Sequence, residues 1–294
     1  MMVEPPVVSP RSLAEAYGLL AAQPYRPLAG GTDLMVQLAG ELEPAPDRVL
    51  DLWQIEELRG IAVRDGFLEL GALTTYTQLQ RSPACRSNVS ALVEAAATIG
   101  AVQIQNRGTL GGNVMNASPA GDTLPVLLAL DARLVLGSSN GEREIAALDF
   151  WPEYRRTAAQ PDELLVRVRI PLLADRTQRF RKVGTRRAQA ISKVVVATGW
   201  RTGEASVRHD VRIALGSVAP TPIRVPSVEA VLEGRRWDPA VAGEAVEALA
   251  AAINPIDDVR STASYRREAA CRVVRRLLLD GTVELASAAS GGAA

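Results

Sequence analysis

Residues 98–113 read TIGAVQIQNRGTLGGN, with a glycine pair directly after Thr109 and Leu110. A similar segment lies earlier in the chain, where LAGGTDL at 28–34 has a glycine pair before a threonine. Adjacent glycines let successive backbone N–H groups converge on one point, and a helix start behind them adds partial positive charge. Two such turns predict a diphosphate site, whereas a single Gly-Gly pair is equally typical of a tight loop.

The pattern of apolar residues around these turns predicts short strands and helices in alternation. Helices are expected over 12–22, 34–43, 73–79, 91–99 and 124–132, and strands over 25–29, 49–52, 60–63, 67–72, 133–137 and 164–171. From there the chain changes to strands, at 178–183, 193–200, 205–209 and 211–218, and two helices close it at 239–253 and 265–279.

Composition excludes several function classes. Lys+Arg and Asp+Glu number 33 each, so a net charge of +0 gives no electrostatic reason to expect nucleic acid or an anionic membrane as partner. The 2 cysteines, Cys85 and Cys271, lie far apart and His209 is the 1 histidine, so the chain predicts neither a zinc site nor an iron–sulfur cluster of its own. Neither GxGxxG nor a P-loop motif occurs. No apolar run approaches the roughly 18 residues of a membrane helix, and the protein is expected to be cytoplasmic.

Three further features have ordinary structural explanations. His209 and Asp210 separate two predicted strands, which indicates a hairpin turn. Cys271 falls on the apolar side of the last predicted helix and Cys85 in a loop, both without a basic partner that would activate a thiolate. The arginines of the last helix predict a solvated face or a subunit-docking face: Arg266, Arg267, Arg272, Arg275 and Arg276.

The string at 98–113, followed by ASPAGD at 117–122, resembles the FAD-binding signature of the molybdenum hydroxylases in their medium, flavin-binding subunit. AGGTDL at 29–34 and LGALTT at 70–75 are similar to further motifs of that family, which includes the flavin parts of xanthine dehydrogenase and carbon monoxide dehydrogenase. The resemblance covers about residues 12–280. Gln105 departs from the pattern, because many relatives carry arginine there.

This resemblance implies that the two glycine turns clasp the FAD diphosphate. It assigns to the first turn Arg26, Pro27, Leu28, Ala29, Gly30, Gly31, Thr32 and Asp33, and to the second Thr109, Leu110, Gly111, Gly112 and Asn113. Asp33 varies among relatives. Ile99 matches a position against the flavin and Asp122 a hydrogen bond to the cofactor, while Leu165 and Lys182 match two further contacts. No catalytic or metal-binding residue is implied.

Lys182 has two interpretations. A cation at the edge of the flavin ring favours the reduced cofactor, and Lys182 fits that role. Its neighbours Arg179, Arg181, Arg186 and Arg187 are equally typical of an ordinary solvated strand. Covalent flavin attachment needs His, Cys or Tyr at the ring, and the glycine motifs contain no His or Cys, so we expect noncovalent FAD.

The resemblance further implies an α+β fold with two small α/β subdomains of the PCMH type, at 1–55 and 56–170. A C-terminal α+β domain with an antiparallel sheet is expected at 171–284 and a disordered tail at 285–294. The implied function is electron transfer, as an oxidoreductase subunit whose FAD takes electrons from a partner and reduces an external acceptor. The implied partners are a large molybdopterin subunit and a small subunit with two [2Fe–2S] clusters, in a dimer of heterotrimers.

Two other functions stay open from the sequence. One is a free-standing FAD-dependent oxidoreductase of the related oxidase or UDP-N-acetylenolpyruvoylglucosamine reductase type, which needs its own acid or base at the flavin. The glycine motifs offer only Asp33 and Asp122 for that role. The other is a flavin-free binding or assembly protein, which the presence of both glycine turns disfavours.

Overall fold

The structure is a computed structural model that describes residues 5–40, 44–186 and 189–290. The N-terminal part of the chain forms a small parallel sheet. Its strands, in the order β1-β3-β2, are β1 (Val7–Val8), β2 (Arg26–Leu28) and β3 (Val49–Asp51). The connecting helices are α1 (Leu13–Ala22) and α2 (Leu34–Ala39). The hydroxyl of Ser12 caps α1 by accepting the Glu15 amide at 3.2 Å, which confirms the predicted start. Of the helix predicted over 34–43, residues 41–43 lie outside the described residues.

The second sheet is antiparallel, with five strands in the order β4-β5-β8-β6-β7. They are β4 (Ile61–Arg64), β5 (Phe67–Gly71), β6 (Arg133–Ser138), β7 (Gly141–Ala146) and β8 (Leu164–Pro171). The predicted β4–β5 hairpin is confirmed: Asp65 and Gly66 have φ of 48° and 76°, the left-handed pair that a tight two-residue hairpin turn requires.

Helices fill the connection between β5 and β6. They are α3 (Tyr76–Arg81), α4 (Pro83–Asn88), α5 (Ser90–Thr98), α6 (Val102–Arg107), α7 (Leu110–Asn116) and α8 (Leu124–Ala129). The sequence did not predict α4, α6 or α7, and the expectation that Cys85 lies in a loop is wrong, because Cys85 lies in α4. In α7 the glycine pair lies inside the first helical turn, because Thr109 caps the helix and its hydroxyl accepts the Gly112 amide at 3.0 Å. Two interior glycines lower helix propensity, and this hid the helix from the sequence pattern.

The third sheet is antiparallel and buried on both faces. Its strands are β9 (Arg176–Val183), β10 (Val194–Thr202), β11 (Val207–Gly216) and β12 (Ile223–Arg224), with β13 (Arg235–Arg236) also paired to β11. Successive side chains of a strand point to opposite faces. In β10, Val195 and Ala197 therefore join the core of the first two sheets, whereas Val194 and Val196 join a separate C-terminal core.

The predicted turn at His209–Asp210 is wrong. Both residues lie inside the continuous strand β11, where Asp210 has φ of 55° and the pairing with β10 shifts register. The chain reverses earlier, where the Gly203 amide donates to the Val207 carbonyl at 2.8 Å. The bulge places two polar residues in succession, and this break in the alternation of polar and apolar residues is why the sequence predicts a turn here.

The C-terminal core is closed by α9 (Pro226–Leu232), α10 (Pro239–Ala252) and α11 (Ala263–Ser290). Ala270, Val274, Leu277 and Leu278 of α11 are buried, and Val273 is half-buried. The assignment of Arg266 to the solvated face is wrong, because this side chain is buried beneath the helix. Residues 285–290, the first part of the predicted disordered tail, lie in α11, and 291–294 lie outside the described residues.

The fold is α+β, as predicted, with all described strand pairs of the second and third sheets antiparallel. The three sheets fall within the predicted ranges 1–55, 56–170 and 171–284, except that the second sheet extends one residue further, to Pro171 at the end of β8. Their cores are less separate than those ranges suggest, because one core runs from α1 through the second sheet to one face of the third. The division into three domains stays a prediction.

Candidate functional site

A cleft of about 200 Å³ lies between the first and second sheets, and both glycine turns line it. Of the residues that the sequence singled out, those lining the cleft are Arg26, Pro27, Leu28, Ala29, Gly30, Gly31, Thr32, Asp33, Thr109, Gly111, Gly112, Asn113 and Leu165. Residues far apart in the chain therefore form one site. Leu110 does not line it, because its side chain is wholly buried on the other side of α7.

The first turn offers free backbone donors. It connects the end of β2 to the start of α2, and Gly31 has a positive φ of 76°. Among the described residues, the amides of Gly30, Gly31, Thr32 and Asp33 donate to no protein group. Unpaired amides beside a cleft are the donors that a phosphate group requires.

The second turn differs, because most of its amides are already bonded within the protein. Leu110 and Gly111 donate to the carbonyls of Thr74 and Ala72 at 2.9 Å each, and Asn113 donates to the Thr109 carbonyl at 3.1 Å. Among the described residues, only the Thr109 amide of this turn donates to no protein group, so the second turn offers fewer free N–H groups than the first. The side chain of Asn113 remains: its Oδ1 accepts the Thr123 hydroxyl at 2.5 Å, which leaves its NH2 group available as a donor.

The first turn also touches the segment that leads into the second. A Cβ added at Gly30 would overlap the carbonyl oxygen of Arg107, and one at Gly111 would lie 2.6 Å from the Ala72 carbonyl oxygen. Both glycines are therefore needed for close approach between backbone segments. Protein backbone, and not open space, lies where a side chain at either position would extend.

Two acidic groups lie at the cleft with opposite electrostatic surroundings. Burial raises the pKa of Asp33, and Arg155 opposes that rise. At the opposite wall, a hydrogen bond from Arg143 to Glu163 at 2.6 Å lowers the pKa of the Glu163 carboxyl. Glu163 is therefore held as a structural anion, whereas Asp33 is the less readily ionised of the two.

A second group of predicted residues gathers outside the cleft lining. The Lys182 ammonium lies 2.5 Å from Asp122 Oδ2 and donates to the Thr98 carbonyl at 3.2 Å, next to Ile99. The Lys182 side chain is 10% exposed and that of Asp122 6%, so the solvated interpretation of Lys182 is wrong. Burial raises the pKa of Asp122 to about 6, although the Lys182 charge opposes the rise. Asp122 Oδ1 has no partner among the described residues.

Sequence reasoning missed several cleft residues: Leu34, Gln37, Leu52, Leu58, Ala72, Leu73, Tyr76, Met115, Asn116, Glu163 and Leu164. Most are apolar and give no chemical signal in a sequence. Among the polar ones, Tyr76 could have been found from the sequence, because it directly follows the LGALTT motif. Its side chain is buried, and its hydroxyl bonds no group among the described residues.

Gln105 has a local role. Its amide nitrogen donates to the carbonyls of Ile99 and Ala97 at 3.1 and 3.3 Å, and its oxygen accepts from Gln80 at 3.1 Å. It thus satisfies carbonyls at the C-terminal end of α5, beside the one that Lys182 binds.

The remaining candidates gain no chemical role. His209 Nδ1 lies 3.7 Å from a Glu233 oxygen on an exposed surface, and Cys85 and Cys271 are free thiols, the first buried and the second half-buried. In the described part of the chain no group of three or more His, Cys, Asp or Glu could hold a metal ion. None of the described helices is long and apolar enough to cross a membrane.

The fold and the cleft define a protein with a site for a phosphate-bearing cofactor between its first two sheets. The family model described as the FAD binding domain in molybdopterin dehydrogenase matches residues 2–173, and that of the CO dehydrogenase flavoprotein C-terminal domain matches 179–280. The chain belongs to this family of FAD-binding oxidoreductase subunits, which confirms the resemblance, and FAD is its cofactor.

Similar proteins match along nearly the whole chain. The nicotinate dehydrogenase FAD-subunit of Eubacterium barkeri is 32% identical over 92% of this chain and 94% of its own. The glyceraldehyde dehydrogenase medium chain of Sulfolobus acidocaldarius is 32% identical over 95% and 97%. A carbon monoxide dehydrogenase structure from Hydrogenophaga pseudoflava, lacking the Mo-pyranopterin moiety, superposes with a TM-score of 0.89 at 29% identity, over 94% of this chain and 96% of that one.

The residues of the cleft fit FAD. The free amides of the first turn and the Asn113 side chain supply donors suited to a diphosphate, and leucines such as Leu52, Leu58 and Leu73 supply an apolar wall suited to the flat rings.

We expect Tyr76→Phe to raise the dissociation constant of FAD about tenfold, because the hydroxyl removed is one that the protein leaves unbonded at the cleft. Fluorescence titration of apoprotein with FAD measures this. The control is Tyr17→Phe: the Tyr17 hydroxyl is also buried without a partner among the described residues, yet Tyr17 does not line the cleft. Equal affinities in the two variants would contradict a contact between Tyr76 and the cofactor.

Proposed function

We propose that this chain is the electron-transfer subunit of a molybdenum hydroxylase, in which FAD takes electrons from [2Fe–2S] clusters of a partner subunit and passes them to an external acceptor. The observation that supports this most strongly is the match, over nearly the full length, to proteins named as medium chains or FAD subunits of dehydrogenases. The proposed partners are a large molybdopterin-binding subunit and a small [2Fe–2S] subunit, as a dimer of heterotrimers in the cytoplasm.

The chain's own residues have binding and electrostatic roles in this proposal. Gly30, Gly31 and Thr32 donate their free amides to the diphosphate, and Asn113 adds a side-chain donor from the opposite wall. FAD supplies the redox chemistry, because its ring accepts electrons from one donor and releases them to another acceptor. The binding is noncovalent.

Lys182 and Asp122 are proposed to lie at the edge of the flavin ring with Ile99. A buried ammonium favours added negative charge nearby more than an exposed one does, because the surrounding dielectric is low. The Lys182 ammonium is held in place by Asp122 and by a second hydrogen bond, which it donates to the Thr98 carbonyl. Leu165, at the cleft wall on β8, contributes apolar contact.

The alternative is a free-standing FAD-dependent oxidoreductase that acts on its own small substrate. Asp33 is the observation in its favour, since a cleft carboxyl with a raised pKa is the type of group that exchanges protons with a substrate. The partner-dependent function is favoured by the names and full-length matches of the relatives.

Isolation of the tagged full chain from the cells that produce it distinguishes the two functions. The proposal expects FAD together with molybdenum and iron in fixed ratio, two copurifying subunits, and flavin bleaching when substrate is added without air. Rates of reoxidation by NAD⁺, a quinone, ferredoxin and oxygen then identify the acceptor. A single FAD-bearing chain that oxidises a small molecule without copurifying metal would contradict the proposal and support the alternative.

A further inference from the structure

A buried set of hydrogen bonds holds the segment that carries Asp122. The Ser192 hydroxyl donates to the Ala120 carbonyl at 3.0 Å, and the Ser217 amide donates to the Pro119 carbonyl at 2.8 Å. The two serine hydroxyls lie 3.1 Å apart. Ser192 is 1% exposed and Ser217 7% exposed, so these bonds do not exchange with solvent. Residues 119–122 are thus fastened to the third sheet just before Asp122.

Arg266 extends this set from the last helix. One of its terminal nitrogens donates to the carbonyls of Lys193 and Ser217, at 3.1 and 2.9 Å. The other donates to Asp258 Oδ1 at 2.6 Å, and that oxygen also accepts the Ser261 amide at 3.0 Å. Arg266 is only 4% exposed. A buried guanidinium with these partners ties together the two loops that carry the serines.

Ser217 also has a strained backbone, which these hydrogen bonds hold in place. Its φ is 64°, in the left-handed region that residues other than glycine adopt rarely and at a cost in energy. Such a conformation persists where surrounding contacts determine it, and here these are the bonds to Pro119 and Arg266.

Resting on the proposed location of Lys182 and Asp122 beside the flavin, we propose that Ser192, Ser217 and Arg266 are positioning residues, which hold the Asp122 carboxyl against Lys182. The carboxyl itself has little other support. Its Oδ2 binds Lys182 of β9, and its Oδ1 has no partner among the described residues. Its location is therefore set by the backbone at 119–122 and by Ser192.

Electrostatic surroundings agree with this placement. Burial has the largest effect and raises the pKa of Asp122, while the Lys182 charge lowers it. Tyr76 of α3 also interacts with this carboxyl: burial, Asp33 and then Asp122 raise the pKa of the Tyr76 hydroxyl. Loss of the Ser192 hydroxyl releases the Ala120 carbonyl, so the Asp122 carboxylate lies less closely against Lys182 and its titration moves to higher pH.

The test is Ser192→Ala in the full chain, as it is isolated with any copurifying subunits. We expect the dissociation constant of FAD to rise about fivefold, and the midpoint of the pH titration of flavin absorbance to move upward. We also expect faster amide exchange at 117–123. Ser192→Thr keeps the hydroxyl and restores the wild-type values of all three.

Two matched controls separate positioning from stability. Ser138→Ala removes another buried serine hydroxyl, which accepts the Asn140 amide at 3.2 Å on the second sheet, and leaves FAD affinity and titration unchanged. In α11, Arg266→Met gives the same shifts as Ser192→Ala, whereas Arg272→Met, which removes an exposed arginine of that helix, gives none. All measurements are made well below the melting temperature of each variant.

The proposal is overturned if Ser192→Ala lowers the melting temperature as Ser138→Ala does but leaves FAD affinity, pH titration and exchange at 117–123 within twofold of wild type. It is also overturned if Ser192→Thr fails to restore those three values. If the Arg266→Met variant does not fold, the result for Ser192→Ala alone decides the question.

Discussion

We expect Gly30→Ala to lower the free energy of unfolding by about 3 kcal/mol and to yield protein without FAD. The added Cβ would overlap the Arg107 carbonyl oxygen and lie 2.6 Å from its carbonyl carbon. Both are backbone atoms, which cannot rotate aside as a flexible side chain would. The two walls of the cleft must separate to accept the methyl group, and the cofactor loses its site. Urea unfolding and the flavin content of the purified variant measure the two effects.

Gly18→Ala is the matched control for this substitution. Gly18 lies inside α1, and an added Cβ would meet nothing within 4 Å. Alanine is favoured over glycine in a helix, so this variant gains about 0.5–1 kcal/mol and keeps its FAD. A Gly30→Ala variant as stable as Gly18→Ala would show that Gly30 does not lie against the Arg107 backbone as described.

The second large effect is expected for Lys182→Met, which costs about 3–5 kcal/mol of unfolding free energy at neutral pH. The loss is large because the substitution leaves the buried Asp122 carboxylate without its cation. A double variant with Asp122→Asn recovers most of this, since no buried charge then remains. Lys193→Met is the control: its ammonium lies 4.9 Å from the centre of the Tyr265 ring, and its loss costs about 1 kcal/mol or less.

The cost of Lys182→Met depends on pH in a definite direction. Burial raises the pKa of Asp122 from 3.8 to about 6, so between these values the folded protein binds more protons than the unfolded chain, and stability falls as pH rises. Removing Lys182 raises that pKa further and extends the fall to higher pH. The difference from wild type is therefore largest above pH 6 and shrinks on acidification. A difference that stays constant across this range would contradict the pairing.

The sequence located the cleft that both turns line, because glycine pairs mark turns regardless of what surrounds them. It could not show that the two turns differ. The amides of Leu110 and Gly111 are occupied by Thr74 and Ala72 on a neighbouring segment, and this is a property of tertiary packing. The same limit explains the missed helices α6 and α7, whose glycines and polar residues are typical of a loop.

Charged residues were the hardest to place from sequence. Arg266 has the spacing of a solvated helix face, yet its partner Ser217 is 49 positions away in the chain. Lys182 stands among arginines typical of an exposed strand, and its partner Asp122 is 60 positions away. For Lys182 the family resemblance supplied what the local pattern could not, whereas Arg266 had no such motif to identify it.

The third sheet is buried on both faces, and this determines how the chain unfolds. The two family models divide the chain between residues 173 and 179, which suggests two modules that could be separated. Alternate residues of β10 belong to different cores, however, so removing this strand would expose both cores at once. We therefore expect thermal unfolding in a single cooperative transition, and a fragment ending at residue 173 to aggregate rather than fold.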